Sequence, residues 1–545
     1  MRRFLVYPHD LIKVIDWKNH WDTKYIDQFC DDEEFKKVVK YHHKSKGLWQ
    51  AKWHEADTLS SVLARAKHKK NFWKVGEEEP VFVRVYGDIL EFNEFKRKEL
   101  WEKIIERLKK RDYNGINELL SEFPQDSRFP FVSLKTHHII TQILKNLMDK
   151  MDIISKDQLK KINKIYLIKI SFPISEFHRL KELRAFIDTK KAFMFAIMEN
   201  LDQYYPVEIG DDILMILLTD EQVKDFKKTI LERSIPCRIE IFECIMDKRP
   251  DPVTGRLYYY VKSFSRSVHT VSSDELEFRR EASTWARILE EEKYVAWLIV
   301  SATKPLHELA KEFVNWGFEE LKDRGEELKE GWEIEEEISP DLLLAFVEGY
   351  SKFLEDVKRF ISDFLGIDPN EYTPVSSIDY FIMVLPVDYE NALNIYCEIL
   401  NKREKLHVKS VSMCMIVADG KYPFWRIREF FESKEGSWFA WMVGESMYSL
   451  SDDDVRRVRN LIRSIQNSKV SKSVLYSIIS KCGGMDKEET KLFIDSLNAA
   501  GKLGKGNLAR ELNGLVDYFS SRYGNEWREK FRWALKLLAN FARRE

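Results

Sequence analysis

The stretch that decides the fold is VEIGDDILMILL, Val207 to Leu218. Two apolar runs flank Gly210-Asp211-Asp212, and Gly and Asp are the residues a tight hairpin turn favours. Working outward, the apolar run KIYLIKIS (Lys164–Ser171) predicts a strand, and a long helical stretch follows from about Ser175 to Leu201. Beyond the hairpin, TDEQVKDFKKTILERS has a cap-like Thr219 and helical spacing, and CRIEIFECI alternates as a strand. The resulting order, β-α-β-β-α-β, is the split βαβ of ferredoxin-like palms.

The same order recurs downstream. YVAWLIVS (Tyr294–Ser301) reads as a strand, and a helical region runs to about Leu365 with an interruption near Glu333 to Pro340. VSSIDYFIMVLP is a second turn and strand, DYENALNIYCEIL a helix, and HVKSVSMCMIVA the closing strand. The repeat rests on element order, not on residue identity. Between the units, MDKRPDPVTGRLYYYVKSFSRS carries Pro and Gly and reads as a connector or small insert. After about Glu435 the pattern is helical to the end, with a local excess of Lys and Arg that suits an acidic partner.

At 545 residues the chain exceeds a single core, so three to five domains are expected. Charged residues make up 33% of it, yet the formal net charge is -2, so any nucleic-acid surface must be local. The six cysteines form no C-x-x-C pair, which argues against a zinc ribbon and for a reducing cytoplasm. No apolar run approaches the roughly 18 residues of a membrane helix. Fifteen Trp and 34 Phe imply surfaces that partners cover.

A two-metal palm needs carboxylates from the hairpin turn and from the end of the first strand. The first unit has Asp211 and Asp212 in the turn, but IYLIKISFPIS offers no acid. In the second unit the turn reads Ser376-Ser377-Ile378-Asp379, with one acid and no glycine, and VAWLIVSATKP again has none. Both turns are therefore expected to be structural, with Ser376 to Asp379 a degenerate site that does not cyclise nucleotides.

The N-terminal region carries PHDLIKVIDW with His9 and Asp10, VVKYHHKSKG with His42 and His43, and WHEADTLSS with His54 and Asp57. Imidazoles and carboxylates converging on one or two divalent ions make an HD phosphohydrolase site. His9, Asp10, His42, His43 and Asp57 are the expected metal ligands, with Mn, Ni, Co or Mg as the ion. Lys13, one turn after the pair, is expected to neutralise phosphate beside His9 and Asp10, and His20 and His54 to stand behind the ligands.

HDLIK, then YHH, then EADTLSSVLAR resembles the N-terminal HD domain of the large subunit of type III CRISPR interference complexes. The two palm units, GKYPFWRIREFFES after the last strand, and the helical C-terminus match that subunit's domain order. The resemblance implies an α+β multidomain fold. Its parts are a helical HD-like domain (1–112), a helical connector (113–163), a first palm (164–246), a connector or insert (247–290), a second palm (291–434) and a C-terminal helical bundle (435–545). It implies partners as well: other CRISPR effector subunits, guide RNA, target RNA and single-stranded DNA, with no membrane. In the family the second palm carries Gly-Gly-Asp-Asp and makes cyclic oligoadenylate, so Ser376-Ser377-Ile378-Asp379 is a departure. What it leaves is an HD nuclease for single-stranded DNA in antiviral defence. The rival readings are a catalytically dead structural large subunit, the related type I-D large subunit, and a stand-alone HD phosphohydrolase.

Overall fold

Asp32 opens the first helix, α1 (Glu33–Tyr41). Its carboxylate accepts the Phe35 N–H, and Glu33 and Glu34 occupy the first turn, where the helix dipole favours acids. Helix α2 (Leu48–Ser60) follows, then β1 (Val81–Phe82) paired antiparallel with β2 (Leu90–Glu91). Asn93 caps α3 (Glu94–Lys109) and Asp112 caps α4 (Tyr113–Leu119). Strands β3 (Pro124–Asp126) and β4 (Phe129–Ser133) pair antiparallel, and Ser133 caps α5 (Leu134–Lys150), which packs along α2. A short α6 (Lys156–Leu159) leads out. Leu11, Ile12, Val14, Phe35, Val39, Ile104 and Leu108 form a separate core under the N-terminal helices.

A computed structural model describes residues 5–44, 46–61, 80–126, 129–151, 153, 155–171, 194–195, 197–199, 201–232, 237–250, 257–271, 289, 292, 294–323, 338–420, 422, 424–432, 436–443, 446–504 and 507–542. Most of the helical stretch expected from Ser175 to Leu201 lies outside these residues. So does most of the interruption expected near Glu333 to Pro340.

Strand β5 (Lys164–Ser171) is buried on both faces, and apolar there but for Lys169 and Ser171, because it runs down the middle of a five-stranded sheet. The sheet contains β6 (Val207–Ile209), β7 (Asp212–Leu217), β8 (Cys237–Pro250) and β9 (Leu257–Val271), in the order β6-β7-β5-β8-β9. Ile168 pairs with Met215 on one side and Ile241 on the other. The helix Asp220–Glu232 joins β7 to β8.

The second sheet is built the same way. Strand β10 (Tyr294–Ala302) is central, followed along the chain by β11 (Val375–Ser376), β12 (Tyr380–Leu385), β13 (Val411–Asp419), β14 (Trp438–Val443) and β15 (Ser446–Ser451). The order is β11-β12-β10-β13-β14-β15. In both sheets the first strand lies between the second arm of the hairpin and the strand that follows the next helix. The helices Leu306–Asp323, Pro340–Leu365 and Tyr389–Arg403 supply the layers, and five helices from Asp452 to Leu538 end the described chain. No helix of the described residues is long and apolar enough to cross a membrane. All six cysteines are buried and unpaired.

Three segments differ from expectation. Residues 113–163, expected as a helical connector, also hold the β3–β4 pair, and their helix α5 joins the N-terminal core region through α2. Residues 257–271, inside the expected connector, are the edge strand β9, paired with β8 from Cys237↔Val271 to Pro250↔Leu257. Its second half, KSFSRSVHT, is mostly exposed and polar, and the Pro and Gly just before the strand drew the whole segment into a connector. After residue 435 the chain first adds β14 and β15 before turning helical. WFAWMV is a short apolar run, and such a run does not by itself separate a buried strand from a buried helix.

Candidate metal centre

His9 and Asp10 sit where the chain enters a 3-10 turn (Leu11–Val14). Leu11, Ile12 and Val14 are buried and pull both side chains inward. His42 caps the C-terminus of α1, and His43 follows it at the surface. Asp57 faces inward from α2, and His137 and His138 are buried on α5. These side chains meet at one point between α1, α2, α5 and the N-terminal turn.

Asp10 is the centre. Its Oδ1 lies 3.1 Å from His42 Nε2 and 3.3 Å from His20 Nε2. Its Oδ2 lies 2.5 Å from Lys13 Nζ and 3.4 Å from His137 Nε2. Asp57 Oδ1 lies 3.0 Å from His137 Nε2 and 3.6 Å from His9 Nε2, and Oδ2 lies 3.4 Å from His43 Nδ1. His20 Nε2 and His43 Nε2 are 2.6 Å apart. Two overlapping donor sets result, Asp10-His20-His42-His43 and His9-Asp10-Asp57-His137, each with its donor atoms within 4.8 Å of one another.

The outer nitrogens fix the tautomers. His42 Nδ1 donates to the Val39 carbonyl at 2.8 Å, His20 Nδ1 to the Trp17 carbonyl at 2.8 Å, and His9 Nδ1 to the Tyr7 carbonyl at 3.3 Å. Each ring then presents a bare Nε2 lone pair to the centre, the arrangement by which a metal-ligating histidine is oriented. His9 Nε2, His42 Nε2 and Asp10 Oδ1 are buried and make no hydrogen bond. Burial leaves such atoms costly unless something satisfies them, and divalent cations held by the two donor sets could do so.

The charge states agree. Burial opposes ionisation of Asp10, but the Lys13 ammonium and the surrounding imidazoles outweigh it and hold the carboxyl well below its ordinary value. Asp57 is likewise held down against its burial, by His137, His43 and His9. Burial lowers His9, and pushes His20 down to about 3. Ionised carboxylates beside neutral imidazoles such as His9 and His20 are donors that borderline divalent ions take, while His137, raised by Asp10 and Asp57 against its burial, would give up its proton to a metal.

All five expected ligands, His9, Asp10, His42, His43 and Asp57, are brought together, with Lys13 on Asp10. His20, expected behind the ligands, stands among them. His54 is in neither set; its Nδ1 is buried without a hydrogen bond. Sequence reasoning missed His137 and His138. KTHHIITQ carried the signal, a His pair on an otherwise apolar helix, but it lay in the segment taken for a connector.

His138 is not a ligand. Its Nε2 accepts the Asp10 backbone N–H at 3.2 Å and its Nδ1 donates to Asn117 Oδ1 at 2.9 Å. Both nitrogens are used, and together they hold the Asp10 peptide in place. Burial first, then the neighbouring His9, keep this ring neutral.

The two hairpin turns also meet. Asp211 N–H donates to the Ser376 carbonyl at 2.8 Å, and Asp212 accepts from Ser377 Oγ at 2.9 Å and from Ile378 N–H at 2.7 Å. Asp379 is half-buried and lies 2.5 Å from the Lys169 ammonium.

No protein-family model matches the sequence, and no curated protein matches it. Solved structures do resemble the fold. A chain of the Csm1–Csm4 cassette in complex with cA3 superposes with a TM-score of 0.56 at 11% identity, covering 98% of both chains. A chain of the Csm1–Csm4 subcomplex in the type III-A CRISPR-Csm interference complex gives 0.55 at 10% identity, again over 98% of both. The cassette in complex with cA4 gives 0.54 at 11% over the same share. Over 98% of its length, then, this chain has the fold of a subunit of the Csm1–Csm4 assemblies.

Proposed function

We propose that this chain is the large subunit of a type III-like CRISPR RNA-guided effector complex in antiviral defence, and that its N-terminal unit is a metal-dependent HD nuclease for single-stranded DNA. The observation that carries the nuclease is the pair of donor sets sharing Asp10, buried but for His43. The subunit assignment is supported by likeness of fold, over nearly the whole chain, to chains of the type III-A interference complex. In this reading the HD-like unit runs past residue 112 to include α5, because His137 lies there. The two sheets are ferredoxin-like palms, a reading their common strand order supports. Guide RNA, target RNA and other effector subunits are the partners, in the cytoplasm.

His9, Asp10, Asp57 and His137 would hold one divalent ion, and Asp10, His20, His42 and His43 a second. Mn, Ni or Co suits so many imidazoles better than Mg. Such an ion supplies Lewis acidity at a phosphate oxygen and acidifies water enough to attack near neutral pH. The chain's own residues do the rest. Asp10, ionised and gripped through its peptide by His138, anchors both sets. Lys13 keeps its ammonium at the edge of the site, where it balances phosphate charge. His43 is exposed and marks the side from which a DNA strand reaches the centre.

The second turn retains a single acid, and the first strands supply none, so no cyclic oligoadenylate is formed. The test is a labelled single-stranded DNA assay on metal-stripped protein reloaded with Mn, Ni or Mg. Cutting should need the ion and disappear in His9→Ala/Asp10→Ala, with complex assembly retained and bound metal lost. Equal cutting by wild type and variant makes the cluster structural and the chain a catalytically dead subunit. Assembled complex given target RNA and ATP should yield no cyclic product.

A further inference from the structure

The place where the two hairpin turns meet contains a buried cation. Lys169 lies in the middle of β5, the strand from which a palm would need a carboxylate. Its side chain is fully buried, with Nζ 2.5 Å from Asp379 of the second unit and 3.9 Å from Glu240 on β8. Glu240 is buried too, bridged at 2.8 Å to Arg266 of β9 and at 3.4 Å to Arg238. Asp212 is buried alongside, and Ser377 and Ile378 donate to it. Two carboxylates, Asp379 and Glu240, thus face three side-chain cations, Lys169, Arg238 and Arg266, while burial pushes the Asp212 carboxyl up to about 7, so it carries only part of a charge at neutral pH. The cluster holds no surplus negative charge for an ion to neutralise.

The backbone closes the same gap. Ser376 N–H donates to Asp211 Oδ2 at 2.6 Å while Asp211 N–H donates to the Ser376 carbonyl at 2.8 Å, a reciprocal pair across the two turns. At Gly210 a Cβ would lie 2.2 Å from that carbonyl, so the turns touch as closely as glycine permits. A divalent ion between these turns would need the negative charge that Lys169 and the reciprocal pair have taken.

We propose that Lys169 is an internal counter-cation that latches the first sheet unit to the second, replacing at their contact the charge a divalent ion would bring. The latch closes the gap between the turns and makes the two units one rigid body. It goes beyond the nuclease reading and stands or falls without it. The energetics of buried ion pairs set the signature. Removing one partner strands the other charge in the interior, whereas removing both leaves little behind. The double variant should therefore be far more stable than the sum of its parts.

Thermal unfolding of the full chain in EDTA at neutral pH tests this with Lys169→Met, Asp379→Asn and the double variant. Amide hydrogen exchange at residues 210–217 and 375–385 is measured in parallel. Each single variant should lose about 3 °C in Tm and exchange faster at both turns, including the turn in the unit that was not mutated. The double variant should regain most of the loss. Should a single variant fail to fold, a folded double variant carries the same conclusion. Additive losses in the double variant, or faster exchange confined to the mutated unit, overturn the latch. DNA cutting by the N-terminal centre should be unchanged in any folded variant, which keeps this result separate from the nuclease assay.

Discussion

At the scale of the residue, the pairs His9-Asp10 and His42-His43 were legible because each packs two donors into one local motif. His20 was placed only behind the ligands and His137 was missed, because folding alone brings them to Asp10. His138 is the instructive case. It is adjacent in sequence to His137 of a donor set, yet both its nitrogens are committed elsewhere, and only the structure separates the two positions. This gives a pH prediction. His9, His20 and His138 have folded-state values below the ordinary 6.5, so the unfolded chain binds more protons. Their stabilising contribution is present above about 6.5 and is lost as pH falls toward the folded values. His137 alone is raised, through Asp10 and Asp57 acting against its burial, and works in the opposite direction. Asp212 and Asp341, pushed up by burial to about 7 and about 8, take up protons over the same range and oppose this trend, so the rings are read by difference. His138→Gln should gain stability relative to the metal-free parent as pH falls from 7.5 to 5, measured as the difference between their Tm values. A difference that stays level over that range contradicts the assigned neutral ring.

Elements differ in how openly the sequence declares them. β5, β7 and β10 are buried on both faces and read as apolar runs, whereas β9 is an edge strand whose exposed residues hide it. The Gly210-Asp211-Asp212 hairpin was legible as a turn, but its contact with the other hairpin was not, since nothing local encodes it. Two glycines in the left-handed region isolate that contact. Gly210 has φ +60° and its added Cβ would meet the Ser376 carbonyl; Gly366, which ends the helix Pro340–Leu365, has φ +68° and open space around it. Gly366→Ala should cost about 1 kcal/mol, the conformational term alone. Gly210→Ala should cost more than about 2 kcal/mol, because backbone must move as well. Urea unfolding midpoints compare the two directly. Equal losses would mean that the turns yield without strain.

For the whole molecule, net charge and composition said little, and the boundary drawn at residue 435 concealed how the C-terminal helices are attached. One hydrophobic core runs from Ala51 in α2 through both sheets to Leu538. The helix Asp452–Ser468 packs on β14 and β15, and Tyr396 donates to Asp452 at 2.5 Å. Buried Asp454 accepts from Tyr523 at 2.6 Å and Tyr518 at 3.1 Å, and Lys536 donates to the Tyr448 hydroxyl at 2.6 Å. Truncation after Ser451 would therefore strip cover from the second sheet, exposing Phe439, Trp441 and Leu450, which are buried in the full chain. The 1–451 fragment should bind a hydrophobic dye, elute as aggregate and unfold at lower temperature than the full chain. A monomeric fragment with unchanged Tm would show instead that the bundle folds by itself and is joined to the second sheet only through the chain.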